Sequence, residues 1–164
     1  MILLLLLGCL DDQLAPGAGA DTYIAMQADF AGFASWPSVT LSEPDSGHGA
    51  GERTVYLSRP EGAGETFPVS TVIVKVIEDS NTFAMARRGG DFNADGALGW
   101  EWFELDYATD GTPVIRWRGE EPPEGEAYGA LPGQDPDTAA ATEGDCNGCH
   151  MGARANDYVW SIDL

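Results

Sequence analysis

Residues 146–150 read Cys-Asn-Gly-Cys-His, and this stretch constrains the fold more than any other. Two thiols three positions apart, followed at once by an imidazole, match the attachment site of a c-type haem. The spacing has a physical reason. Each thiol can form a thioether to one of the two vinyl groups of a single porphyrin, and the adjacent imidazole then lies under the iron as proximal ligand. Axial-ligand identity is one of the protein's main levers on haem chemistry. Asn147 and Gly148 are small and turn-prone, so the backbone can approach the macrocycle closely. A redox dithiol, a zinc half-site and a chance match are the competing readings. A thioredoxin-like dithiol belongs beside a βαβ pattern, which is not visible in this chain. Zinc needs four ligands, and after the motif only His48 and carboxylates are left to complete the set.

The start of the chain points the same way. Residues 1–9 are Met-Ile, five leucines, Gly and Cys. A run this short does not span a bilayer as a helix and reads as an export signal. Leu6-Leu7-Gly8-Cys9 resembles a bacterial lipobox, which implies cleavage before Cys9 and a lipid anchor on it, with the protein facing the periplasm. No Lys or Arg precedes the run, and a cleaved secretory signal with an incidental cysteine is the alternative. Either route leads out of the cytoplasm, which agrees with the motif, because c-type haem is attached on the far side of the bacterial inner membrane. With Cys9 set aside, no cysteine pair is left for a structural disulfide. Residues 10–20 are then a tether, and residues 21–164 are of single-domain length.

Charge narrows the partners. The formal net charge is −19, and Lys75 is the only lysine. Such a surface repels nucleic acid and anionic lipid headgroups and favours a basic redox partner.

Along the body, Asp21 to Trp36 carries Tyr23, Met26, Phe30 and Phe33 at three- and four-residue steps and predicts a helix that Pro37 stops. Ser38 to Gly51 is read as a loop, with His48 facing solvent. Strands follow: Arg53 to Leu57, Thr71 to Ile77, Thr82 to Arg87, Gly99 to Tyr107, and Pro113 to Trp117. The order predicts an α+β fold, mainly an antiparallel meander packed on the N-terminal helix, with haem near the C-terminus. Asp91 to Gly96 resembles the opening of a calcium loop, but its twelfth position is Trp102 rather than Glu; it is read as a loop between strands. Gly119 to Asp145 is a long acidic connection, with a short helix expected near Ala139 to Glu143. Asp157 to Trp160 is read as a closing strand or an edge that packs beside haem.

Lys75 sits in the middle of a Val/Ile strand, where an ammonium is costly unless it finds water or a partner. A snorkelling lysine, an ion pair and a functional role all fit. Two carboxylates lie in Gly99-Trp100-Glu101-Trp102-Phe103-Glu104-Leu105. Alternation groups Glu104 with Trp100 and Trp102, and Glu101 with Phe103 and Leu105. Both faces are apolar, so either Glu is a candidate for a shifted pKa, and the sequence does not choose between them. Arg116 and Arg118 share one face of an ideal strand and are candidates for haem propionates or for a solvated edge.

Taken together, the chain resembles the cytochrome P-460 family. The similarity rests on Phe33-Ala34-Ser35-Trp36, His48-Gly49, Val55-Tyr56-Leu57, Phe67-Pro68 with Thr71 to Lys75, Phe83 to Arg87, Gly99 to Phe103, and Cys146 to His150 followed by Asp157-Tyr158-Val159. The resemblance implies a β-rich, usually homodimeric protein with one covalent haem c and an open distal site. In enzymatic members a strand lysine is linked to the porphyrin, and a distal carboxylate handles protons while hydroxylamine is oxidised. Lys75 is the residue here that would supply the link, with Glu101 first and Glu104 second for the carboxylate. The related cytochromes c′-beta lack the link, have a phenylalanine-lined pocket, and bind nitric oxide or carry electrons. Phe30, Phe33, Phe83, Phe92 and Phe103 are available for such a pocket. A six-coordinate electron carrier with Met85 as second ligand is a third possibility.

Overall fold

The computed structural model describes residues 22–41, 52–59, 66–78, 81–123 and 145–160. The export signal, the tether, His48 and the segment 139–143 lie outside them. Among the described residues, no helix is long and apolar enough to cross a membrane.

Six strands form one antiparallel meander: β1 (Ser38–Leu41), β2 (Arg53–Leu57), β3 (Val72–Ile77), β4 (Thr82–Arg87), β5 (Trp100–Tyr107) and β6 (Pro113–Gly119). With the short helices, the fold is α+β. Each strand pairs with its chain neighbours, as successive strands most often do. Between β5 and β6 the chain reverses through Gly111, at φ +81°, while Thr112 N–H bonds the Asp110 carboxylate at 2.9 Å. β3 is apolar nearly throughout because both faces of the sheet are covered.

One face buries Val55, Leu57, Ile73, Met85, Trp100, Trp102 and Trp117, closed by Tyr158, Val159 and Cys146 from the C-terminal segment. The other buries Val72, Val74, Ala84, Ala86, Phe103 and Leu105 beneath Ala25, Phe30 and Phe33. We call these the motif face and the N-terminal face.

Three expectations change. First, residues 22–26 form no helix, and two short 3₁₀ turns follow, Gln27–Phe30 and Phe33–Ser35, in place of a continuous helix. Gly32 in left-handed backbone, φ +73°, separates the turns, and glycine is a poor helix former. The Asp29 carboxylate accepts from Met26 N–H at 2.7 Å, and Tyr23 N–H bonds the Arg88 carbonyl at 2.9 Å. Phe30 is fully buried against Phe103, their ring centroids 5.1 Å apart, whereas Met26 is exposed. Second, Ser38–Leu41 is an edge strand paired with β2. Third, Asp157 to Trp160 is no strand. Asp157 and Tyr158 both have positive φ, which breaks an extended run, yet Tyr158 and Val159 are buried on the motif face.

Candidate functional site

Cys146–His150 forms one short helix, α1, which runs into a 3₁₀ segment, Met151–Asn156. Cys, Asn and Gly are weak helix formers, so α1 depends on its surroundings. Asp145 caps it by accepting from Gly148 N–H.

Asn147 then docks α1 onto the body. Its Oδ1 accepts from Asn93 Nδ2 at 2.8 Å, Ala97 N–H at 3.1 Å and Trp102 Nε1 at 3.0 Å. Its Nδ2 donates to Asn93 Oδ1 at 2.9 Å, the Glu120 carbonyl at 3.2 Å and Glu121 Oε1 at 2.5 Å. Gly96 makes this possible, because a Cβ there would collide with the Asn147 amide. The Asp91–Gly96 loop is thus the seat of the motif. Asn93, in left-handed backbone at φ +54°, turns its buried side chain inward to Asn147.

The His150 imidazole is oriented from both sides. Nδ1 lies 2.6 Å from the Tyr158 carbonyl oxygen. A carbonyl accepts only, so Nδ1 carries the proton and Nε2 the lone pair, the tautomer suited to metal ligation. The Trp102 ring packs against the imidazole, centroids 4.6 Å apart. Burial pushes the His150 pKa down to about 4, opposed by the Tyr158 bond and aided by the Lys75 charge. The imidazole is therefore neutral at ordinary pH, as a ligand must be.

Neither Cys146 nor Cys149 is in a disulfide, and both are partly buried. Burial first, then Glu121 and Asp145, pushes the Cys146 thiol up to about 12, and burial also raises Cys149. Dithiol exchange needs a thiolate, which this setting disfavours. A thioether sulfur has no proton to lose, and burial suits it. Among the described residues, no three or more His, Cys, Asp or Glu converge to hold a metal ion. A haem iron does not require such a group, since the porphyrin supplies four donors and the protein one or two.

Lys75 lies on the motif face. It pairs across strands with Val55 and with Phe83, Phe83 pairs with Glu104, and Glu104 with Trp117. Cross-strand partners share a face, so Lys75, Phe83 and Glu104 stand in one row across the sheet. The Lys75 ammonium is 5.9 Å from the Phe83 ring centroid. Desolvation, then the Arg53 charge, brings its pKa down to about 7, while Cys149 and Cys146 pull it up.

The two glutamates part company. Glu104, on the motif face, accepts from Arg116 Nη1 at 2.8 Å and from Trp117 Nε1 at 3.0 Å. Glu101 faces the opposite side and accepts from Arg118 Nε and Nη2, each at 2.7 Å, with Arg88 Nη1 at 3.5 Å. Arg118 also donates to the Ala25 carbonyl at 2.6 Å. Glu101 holds the N-terminal segment through Arg118, and Glu104 is the carboxylate on the face that carries Lys75, with Phe83 between them. Arg116 and Arg118 serve different glutamates because the sheet bulges between Glu104 and Leu105, where Arg116 is the extra residue. Of the five phenylalanines considered, Phe30, Phe33 and Phe103 pack on the N-terminal face, and Phe83 stands in the Lys75 row. Phe92 lies under Arg88, whose guanidinium carbon is 4.2 Å from the ring centroid. Met85 is buried on the motif face.

Two sulfurs and an oriented neutral imidazole on one turn, against an apolar sheet face, fit a covalent haem. Comparison with models of known families, with curated proteins and with solved structures found no match to this chain.

Proposed function

We propose that this chain is an exported mono-haem c-type cytochrome of the cytochrome P-460 kind. In this reading it oxidises hydroxylamine or a similar small nitrogen compound and passes the electrons on. One observation carries the reading. Lys75 and Glu104 stand in one row on the sheet face that Cys146 packs against and whose Trp102 packs on His150. Cys146 and Cys149 would hold the haem c, one per chain, and His150 Nε2 would ligate its iron.

When bound, the haem supplies a redox-active iron with a position for the substrate nitrogen. The protein's own groups do the rest. Every electron withdrawn from such a nitrogen must be matched by a proton, and Glu104, the glutamate on the motif face, would be its acceptor. Arg116 and Trp117 hold its two oxygens in place. Lys75, with a pKa near 7, is substantially a neutral amine at neutral pH, the form competent to bond a porphyrin edge. The Trp102 and Met85 side chains exclude water from the motif side of the sheet.

The partners follow from the chemistry: the small nitrogen substrate, and a basic acceptor protein drawn by the net charge of −19. A lipid anchor at Cys9, a periplasmic location and a homodimer belong to the same proposal. Tryptic mapping of protein matured in a host that installs c-type haem, combined with hydroxylamine turnover against an artificial acceptor, tests it. A haem-bearing Lys75 peptide with turnover is expected. Haem without the Lys75 link and without turnover would point instead to a nitric-oxide-binding or electron-transfer protein of the c′-beta kind.

A further inference from the structure

Asp157 and Tyr158 adopt left-handed backbone in succession, at φ +48° and +68°. Neither is glycine, and a bulky aromatic at positive φ is an outlier that surrounding structure must hold. The consequence of this bend is specific: it turns the Tyr158 carbonyl onto His150 Nδ1, 2.6 Å away.

The bend is fastened from two directions. Within the segment, Tyr158 N–H bonds the Ala153 carbonyl at 3.0 Å, Val159 N–H bonds the Asn156 carbonyl at 3.0 Å, and Asn156 Nδ2 returns to the Val159 carbonyl at 2.6 Å. From the sheet side, Asp157 Oδ2 accepts from Phe67 N–H at 2.9 Å, and Oδ1 lies 3.4 Å from Arg87 Nη2. Both partners of that ion pair are nearly buried, with side-chain exposures of 9% for Asp157 and 13% for Arg87. Arg87 is itself fixed. It belongs to β4, donates to the Leu98 carbonyl, and lies 5.5 Å from the centre of the Trp100 ring.

We propose that Asp157 is a positioning residue for the proximal ligand. It clamps the strained turn to Phe67 and Arg87, and so holds the Tyr158 carbonyl on His150 Nδ1. The inference rests on the haem reading. A carbonyl accepting from Nδ1–H makes the imidazole a more basic ligand, which favours the ferric state. Glycine would satisfy the backbone at position 157 without strain but makes neither side-chain contact. A carboxylate makes both, and its charge matches Arg87.

The test uses the full-length, haem-loaded protein and two variants. D157G keeps the positive φ and loses both contacts. D157N keeps an acceptor for Phe67 N–H and loses the charge opposite Arg87. The proposal expects D157G to raise the reduction potential and lower the iron–imidazole stretching frequency of the ferrous protein. D157N should shift both in the same direction by less. A D157G protein unchanged in both would overturn the proposal, because the turn would then hold itself. Should D157G fail to accumulate, D157N decides by the same two readouts. Haem-loaded wild type with indifferent variants sinks this inference alone; wild type without haem sinks the haem reading and this inference with it.

Discussion

Replacing Asn147 by alanine tests how α1 is seated. The truncation strands two buried donors on the body of the protein, Ala97 N–H and Trp102 Nε1, and leaves Asn93 Nδ2 with only the Trp100 carbonyl, 3.1 Å away. Asn93, Ala97 and Trp102 are 2%, 0% and 3% exposed. A buried donor left without a partner costs about 1–3 kcal/mol, so the two together span roughly 2–6 kcal/mol. Asn147 is only partly buried and its far side meets exposed Glu120 and Glu121, so water recovers part of the loss. The expected cost is about 3–4 kcal/mol. With a urea slope in the ordinary range, the unfolding midpoint falls by roughly 2 M. Gly96→Ala supplies a cross-check, since its Cβ would collide with the Asn147 amide. Removing that amide creates the missing room, so the double variant should be less destabilised than the sum of the singles. Urea unfolding followed by far-UV circular dichroism measures all four proteins. An Asn147→Ala cost below about 1 kcal/mol, or strict additivity with Gly96→Ala, would refute the reasoning.

The remaining predictions concern the two glutamates, the lysine and the N-terminal segment. Glu104→Gln should lower hydroxylamine turnover about 100-fold, whereas Glu101→Gln should leave turnover intact and cost about 3 kcal/mol by stranding Arg118; the reverse pattern in kinetics and urea midpoints would exchange their roles. Lys75 has a folded pKa of about 7 against an ordinary 10.5. Between those values the unfolded chain binds the extra proton, so stability rises with pH across that window and is insensitive to Lys75 below it. In chain made without haem, Lys75→Met should flatten that rise in a pH series of urea midpoints, and an unchanged slope would count against the assignment. Gly32→Ala should destabilise by about 1 kcal/mol because Gly32 is left-handed; a gain in stability would mean the segment is helical after all.

How much of this could be read in advance depends on how local the cause is. β3, β4 and β5 were legible because β-branched and aromatic runs with clear turns state their own conformation. The N-terminal helix was over-read: the stripe Tyr23, Met26, Phe30 and Phe33 has helical spacing, but Gly32 lies inside it, and Met26 ends up exposed. β1 was missed because Ser38–Leu41 alternates exposed and half-buried residues at a sheet edge, a weak pattern. Cys146, Cys149 and His150 announce themselves by spacing. Alternation also separated Glu101 from Glu104 onto two faces, but which face receives the motif is a property of the topology. Asn147 reads in the sequence only as a small turn residue, and its docking role gave no signal, since its partners Asn93, Ala97 and Trp102 lie 54, 50 and 45 residues away. The clue that existed was Asp91–Gly96, a loop with more Asx and Gly than a plain connection needs. The parting of Arg116 from Arg118 follows from a one-residue bulge, which period-two reasoning does not foresee.

Every functional role proposed for this chain requires a porphyrin held by Cys146 and Cys149 with His150 as its ligand. Intact-mass measurement of the full chain, matured in a host with a c-type haem attachment pathway and then treated with a thiol alkylator under denaturing conditions, tests it most directly. The predicted spectrum shows the mass of one added haem and no alkylation at Cys146 or Cys149. An unmodified polypeptide mass, with both thiols alkylated, would contradict it.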